Sequence, residues 1–361
     1  MADPVHAAYT GDSPNHDATS ALLVRRPPQE CRGRRHPVAR GRPPDHEQDN
    51  WFLQIETFDP HEPFFTQQHY KDLYPHDYDG PVFDWPPYRN IEETPEQVEH
   101  LRNEYLALLS MCDAHLGRVL RAMDEYDLWD DTLLIVNTDH GFLLGEHDSW
   151  AKVVHPWYQE IAHVPLFIWD PRSQQQGTRN DALVQMIDMA PTLLEYFDVE
   201  RPADMQGVVL KDTLENNTPT REAALFGIHG GHVNVTDGQY VYMRGPVTED
   251  NGPLFNYTLN TNVMSGYLPA DQLREATLAE PFSFTKGMPV LKVPAGLWGN
   301  IGKFALSKGT MLFDVVADPE QQSTLNNPEV EARMVAFLVA LMQANDAPPE
   351  QFERLGLDGM E

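Results

Sequence analysis

The chain has 361 residues, 41% of them hydrophobic and 10% aromatic, which is the composition of an ordinary globular protein with length for a sizeable core. Its formal net charge of −29 argues against nucleic acid or an anionic membrane as a partner. No stretch approaches the roughly 18 consecutive apolar residues of a membrane span, and the N-terminus has no apolar secretory core. Since two cysteines, Cys31 and Cys112, cannot build a disulfide framework, we expect a cytoplasmic protein.

Residues 1–50 differ in composition from the rest of the chain. They hold seven prolines and no lysine, and they show neither helical nor strand periodicity. Their one run with core character extends from Ala21 to Val24. We therefore predict an atypical, mostly irregular segment that ends near residue 50.

The globular pattern begins at Trp51. The run "WFLQIETF" predicts a buried strand, and Thr94 is placed to cap a long amphipathic helix that has Pro95 at its first position. The run "TLLIV" that follows the helix is apolar on both faces, which is typical of a covered parallel sheet. Strand, helix and strand together predict an α/β fold with a mostly parallel sheet.

Later segments predict further strands and helices. The run "HVPLFIWD" predicts another buried strand, and "QMIDMAPTLLEYF" predicts a helix with Pro191 near its first turn. Beyond about residue 215, "HVNVTDGQYVYMRG" predicts a hairpin, and "EVEARMVAFLVALMQ" predicts a C-terminal amphipathic helix. We expect an α/β core over residues 51–215 and a smaller α+β portion over residues 216–361.

Polar side chains follow the "TLLIV" strand directly. In open α/β sheets, ligands bind outside the carboxyl ends of the strands, and Asp139 and His140 stand at that place. A neighbouring carboxylate and imidazole can bind one divalent cation, Gly141 allows a close backbone turn, and Lys152 can hold an anionic oxygen. The alternatives are a helix-capping aspartate, a satisfied, partly buried histidine and a solvated surface lysine.

His61 follows the first strand of the same strand–helix–strand unit. A histidine there would face the same crevice and could protonate a leaving-group oxygen as a general acid. The alternative is a loop histidine that caps the turn. Taken together, the residues at the two strand ends predict a metal-assisted site for an anionic ester.

Four segments resemble the sulfatase family, within the alkaline-phosphatase-like superfamily. These segments are "TDHGFLLGEHDSWAK", "FLQIETFDPHEPF", "MIDMAPTLLEYFDV" and "LFDVVADPEQQSTLNNP", and they occur in the family's order over residues 51–345. The resemblance implies a large α/β sandwich with a smaller C-terminal subdomain. It also implies hydrolysis of sulfate esters with a bound divalent cation, either Ca²⁺ or, as alternatives, Mn²⁺ or Zn²⁺.

The resemblance also implies roles for single residues. Asp139 and His140 would be two ligands of the cation, Lys152 would contact the sulfate oxygens, and His61 would sit at the ester or leaving oxygen. His147, in the Gly-Glu-His element, would support the site rather than take part in the chemistry. The expected partner is a small anionic ester.

The N-terminal part departs from the family pattern. The family carries a strand ending in paired aspartates and a Cys/Ser-x-Pro/Ala-x-Arg motif that matures to formylglycine, and this chain shows neither. Cys31 begins "CRGRR", where glycine replaces Pro or Ala, so we do not expect it to be the nucleophile. The N-terminal third is therefore predicted to be missing or replaced, and the chain to be impaired.

Alternatives stay open for the function and for two further histidines. The chain could instead be a phosphonate or phosphate ester hydrolase of the same superfamily, or a non-catalytic, degenerate sulfatase-like protein. His229 and His232, in "HGGH", have a spacing that some metal sites use, but they fit loop histidines better.

Overall fold

The computed structural model describes residues 21–25, 50–263, 266–296 and 299–360, which form two compact units. The first unit takes its residues from Met1–Pro86, Glu92–Thr138 and Pro165–Gln174, and the second takes them from Pro87–Ile91, Asp139–Val164 and Gln175–Glu361. Among the described residues, no helix is long and apolar enough to cross a membrane. Cys31 and most of residues 1–50 lie outside the described part, and the predicted boundaries at residues 50 and 215 stay predictions.

The elements are numbered in chain order. The strands are β1 Ala21–Arg25, β2 Trp51–Ile55, β3 Thr132–Asn137, β4 Leu143–Leu144, β5 Trp150–Ala151, β6 Leu166–Trp169, β7 Ala224–Gly227, β8 Val233–Thr236, β9 Tyr240–Arg244, β10 Phe255–Thr258, β11 Asn262–Val263, β12 Gly266–Tyr267, β13 Thr277–Ala279, β14 Val290–Pro294 and β15 Met311–Asp314. The helices are α1 Gln68–Lys71, α2 Pro95–Glu125, α3 Gln159–Ala162, α4 Met189–Tyr196, α5 Lys211–Asn216, α6 Ala270–Arg274, α7 Gly299–Lys308, α8 Pro328–Ala344 and α9 Pro349–Arg354.

The first unit contains a four-stranded sheet in the order β2-β1-β3-β6. The predicted α/β class is confirmed, but the predicted parallel pairing is wrong, because each neighbouring pair in this sheet is antiparallel. β2 and β3 do run in the same direction, as a strand–helix–strand unit requires, and β1 lies between them. The residues of β1 include the run with core character that was predicted in residues 1–50.

One face of this sheet packs against α2. Thr94 caps α2 as predicted: its side chain accepts from the Gln97 backbone, and the Gln97 side chain accepts from the Thr94 backbone. The core between sheet and helix holds the buried residues Leu23, Met123, Leu134 and Val136. The predicted burial of β2 and β6 is wrong, since Phe52 is 49% and Phe167 66% exposed on these two edge strands.

The second unit is built on an antiparallel sheet in the order β15-β9-β8-β7. The predicted hairpin is β8–β9, and its turn contains Gly238 with φ +91°. One face of the sheet packs against α8 and α9 through a core that includes Val235, Tyr242, Leu312, Met334 and Leu338. The cluster Tyr158, Val241, Met243, Met311 and Phe313 ties the segment before α3 to the same sheet.

Candidate active site

Asp139 and His140 form a compact turn shortly after β3. The Asp139 Oδ1 atom accepts the His140 backbone N–H at 2.9 Å, and the His140 Nδ1 atom lies 3.0 Å from the Gly141 carbonyl oxygen. A carbonyl can only accept, so Nδ1 carries the proton and Nε2 the lone pair of the neutral ring. Nε2 lies 3.6 Å from Asp139 Oδ2, and the Asp139 side chain is 83% exposed. No helix begins at Asp139, so the helix-cap alternative is wrong.

The short helix α3 is joined to this turn by backbone hydrogen bonds. The Gly141 N–H donates to the Ile161 carbonyl at 2.8 Å, and the Phe142 N–H donates to the Glu160 carbonyl at 3.1 Å. A Cβ atom on Gly141 would lie 1.8 Å from the Glu160 carbonyl oxygen. Glycine is therefore required here for close backbone approach rather than for a left-handed conformation.

Gly141→Ala is expected to destabilise the second unit by about 1–3 kcal/mol, because the helix and the turn must separate to admit the methyl group. Urea unfolding measures the loss, and Gly296→Ala is the matched control, since no atom lies within 4 Å of a Cβ at that position. Equal stability of the two variants would show that the turn is not held against α3.

Lys152 is brought close to the turn by the β4–β5 pair. Leu143 pairs with Ala151 in this hairpin, so Lys152 follows directly opposite Phe142, and its Nζ lies 5.8 Å from the Phe142 ring centre. Lys152 is only 6% exposed, so the alternative of a solvated surface lysine is wrong. Its backbone neighbours Ala151 (φ 72°) and Val153 (φ 74°) both adopt the left-handed region. Such strain, especially at a β-branched residue, clusters at functional sites.

His147 packs against the segment that carries α3. Its ring stacks on Tyr158 with centroids 3.6 Å apart, and its Nε2 atom lies 3.3 Å from the Glu160 carboxylate. Burial, and then the charge of Glu160, raise the pKa of Tyr158 to about 12, so its hydroxyl stays protonated. These contacts fit the supporting role that was predicted for His147.

His61 belongs to the first unit. Its Nδ1 atom lies 2.6 Å from the Glu62 carbonyl oxygen and 3.4 Å from the buried Glu62 carboxylate, and its ring packs on Phe58. With Nδ1 donating to the Glu62 carbonyl, Nε2 is the ring atom left for proton transfer. The catalytic role of His61 stays a prediction.

The two histidines of "HGGH" have structural partners. His229 Nε2 lies 2.9 Å from the Phe255 carbonyl oxygen, and His232 Nε2 lies 2.7 Å from the Gly309 carbonyl oxygen. His232 is buried, and burial lowers its pKa to about 4. Both rings thus bind backbone carbonyls through Nε2, which favours the structural interpretation.

The spacing of Asp139 and His140 is compatible with two ligand positions around one cation. Two ligand atoms 3.6 Å apart, as Asp139 Oδ2 and His140 Nε2 are, can both lie about 2.4 Å from one divalent cation. In the described ranges, however, no group of three or more His, Cys, Asp or Glu side chains could hold a metal ion. These residues therefore fit two positions of such a site and do not complete it.

Two supporting contacts were not predicted from the sequence. Arg221 forms a two-pronged ion pair with buried Asp188, and Gln321 accepts a hydrogen bond from the backbone of Gln159. The partners are 33 and 162 residues apart in the chain. No local periodicity or motif spacing carries a signal over such separations.

Comparison with known proteins supports the resemblance seen in the motifs. Residues 44–199 match the sulfatase family model. An N-acetylglucosamine-6-O-sulfatase of Bacteroides thetaiotaomicron is 35% identical over 134 residues, 36% of this chain and 24% of that protein. An arylsulfatase of Clostridium perfringens is 26% identical over 196 residues, 50% of this chain and 40% of that protein. The chain spans less than half the length of these curated relatives.

A solved structure from Bacteroides thetaiotaomicron, described with the metabolism of multiple glycosaminoglycans, is similar to this chain in fold. The two share 16% sequence identity with a TM-score of 0.50, over 82% of this chain and 55% of that one. At this identity the likeness concerns the fold alone, and it agrees with the predicted α/β class.

Proposed function

Because residues 44–199 belong to the sulfatase family, within the alkaline-phosphatase-like superfamily, we propose that this protein hydrolyses sulfate esters. In this proposal Asp139 and His140 supply two ligands of a divalent cation, and Lys152 binds the anionic oxygens of the ester. Ca²⁺ is the proposed ion, since carboxylate oxygens suit hard cations. His61 is proposed to protonate the leaving oxygen.

The observation that carries the proposal is the setting of Lys152. It is a buried cation between two residues of left-handed backbone, and the β4–β5 hairpin places it opposite Phe142, two residues after His140. A charge held away from water interacts more strongly with an anionic oxygen than a solvated one does. A buried lysine therefore suits a site that stabilises the negative charge developing on an ester oxygen.

The proposed division of labour uses this chain's own side chains. Lys152 would orient the ester and offset negative charge on its oxygens. His140, its Nδ1 proton fixed by the Gly141 carbonyl, would present Nε2 together with the Asp139 carboxylate. His61 would deliver a proton from Nε2 to the departing oxygen as its bond to sulfur breaks, and water, the co-reactant of the hydrolysis, would supply the oxygen of the new bond to sulfur.

One second function has an observation in its favour. Because no group of three or more His, Cys, Asp or Glu side chains in the described residues could hold a metal ion, a non-catalytic protein that keeps the fold without the chemistry is the alternative. Phosphonate and phosphate esters share the tetrahedral anion with sulfate esters, so they form a further arm of the test.

The proposal is tested by giving the purified chain nitrophenyl sulfate, nitrophenyl phosphate and a phosphonate monoester, each with Ca²⁺ or with a chelator. Since the chain is predicted to be impaired, we expect slow turnover, with the sulfate ester hydrolysed fastest and turnover abolished by the chelator. Faster turnover of the phosphonate or phosphate ester would establish the other hydrolase function. If no ester is hydrolysed and calorimetry detects no Ca²⁺ binding, the non-catalytic alternative holds.

A further inference from the structure

Helix α3 depends on other segments of the second unit at its N-terminus. It has four residues, and Tyr158 at its N-cap makes no side-chain capping bond. The first N–H groups of a helix lack internal partners and need an acceptor from elsewhere. The Gln159 N–H finds one in the side-chain oxygen of Gln321, at 2.7 Å and 162 residues further along the chain.

The backbone carbonyls near the C-terminus of α3 accept hydrogen bonds from the turn of the candidate active site. The carbonyls of Glu160 and Ile161, near the end of the helix, accept from the Phe142 and Gly141 N–H groups. A single helical turn has too few internal hydrogen bonds to persist by itself in water. The helix α3 is therefore held by hydrogen bonds at both ends, at its N-terminus to Gln321 and at its C-terminus to the turn that follows Asp139 and His140.

Gln321 is itself held in a defined position. Gln321 is 2% exposed, and its backbone N–H donates to the Asp318 carbonyl at 3.0 Å in the turn that follows β15. Asp314, the last residue of β15, fixes the start of that turn by accepting from the Val316 and Ala317 N–H groups. Gln321 thus connects α3 to the central sheet of the second unit.

We propose that Gln321 is a positioning residue for the candidate active site. Its side-chain oxygen caps α3, and α3 in turn fixes the backbone of Gly141 and Phe142, and with it the orientation of Asp139 and His140. The effect on hydrolysis rests on the proposed function, whereas the effect on the turn does not.

The test uses Gln321→Met, which keeps the length of the side chain and removes the acceptor. We expect the Gly141 and Phe142 amides to exchange hydrogen for deuterium roughly five- to tenfold faster, as the loss of a helix cap implies. Gln185→Met is the matched control, since the Gln185 side chain also bonds a distant backbone group, the Leu225 carbonyl. That control should leave exchange in the turn unchanged.

Gln159→Pro adds a second, independent variant. Proline is tolerated at the first helical position and removes the N–H that Gln321 accepts. If the hydrogen bond carries the effect, Gln321→Met changes exchange no further in the Gln159→Pro background. Additive effects, unchanged exchange at Gly141 and Phe142, or an increase spread evenly over the second unit would overturn the proposal.

A kinetic readout separates this inference from the proposed function. In a chain that hydrolyses sulfate esters, Gln321→Met should lower kcat more than it changes KM, because the groups that act in the transition state are misplaced. Local loosening in a chain without turnover would refute the proposed function and leave the positioning contact intact.

Discussion

Replacing Asp188 by alanine is expected to lower the free energy of unfolding of the second unit by about 3–5 kcal/mol. Asp188 is fully buried, and its carboxylate binds Arg221 through two hydrogen bonds of 2.6 and 2.8 Å. The same carboxylate accepts the backbone N–H groups of Gln185 and Val208, both at 2.8 Å. The substitution therefore removes the carboxylate partner of a largely buried guanidinium and the acceptor of two backbone N–H groups.

The Asp188 prediction is checked by urea unfolding beside a matched ion-pair variant. Asp204 pairs with Lys286 at 3.0 Å on the surface of the same unit, so Asp204→Ala should leave the unfolding midpoint nearly unchanged. A loss in Asp188→Ala no larger than in Asp204→Ala would contradict a structural role for this pair.

Replacing Lys152 by methionine is expected to lower kcat/KM for a sulfate ester by about 10²–10³-fold, the range for losing one preorganised group that stabilises transition-state charge. Methionine keeps the apolar stem against Phe142 and removes the ammonium group. If Lys152 acts on charge that develops during the reaction, most of the loss appears in kcat.

The Lys152 prediction needs a control for the removal of a positive charge as such. Lys286→Met removes an exposed lysine of the same unit and should leave hydrolysis unchanged. Circular dichroism spectra of both variants report whether the fold is kept. Full activity in Lys152→Met would exclude Lys152 from the chemistry, whatever its burial.

Local signals predicted much of the fold. The capping box at Thr94 and the Asp-Gly turn between β8 and β9 depend on residues a few positions apart, and both appear in the structure. The insertion of β1 between β2 and β3 could not be predicted, because strand pairing depends on contacts between distant segments. For the same reason, the antiparallel pairing and the exposed edges of β2 and β6 carried no local signature.

In the candidate site, too, contacts between neighbouring residues could be predicted from the sequence, and contacts between distant segments could not. The contact between Asp139 and His140 follows from their adjacency in the chain, whereas their role as cation ligands stays a prediction. The burial of Lys152 depends on the pairing of β4 with β5. The residues next to Lys152 in the sequence carry no signal of that pairing. Gln321 was missed because its capping contact joins turns far apart in the chain, each of which looks ordinary by itself.

The assignment of the site is tested most directly by the initial rate of nitrophenyl sulfate hydrolysis in Ca²⁺, compared between the unaltered chain and Asp139→Ala. We expect the unaltered chain and the control Asp204→Ala to hydrolyse the ester at equal rates, and Asp139→Ala to lose at least about 100-fold. Equal rates in the unaltered chain and Asp139→Ala, or no hydrolysis by either, would contradict a sulfatase site built on Asp139 and His140.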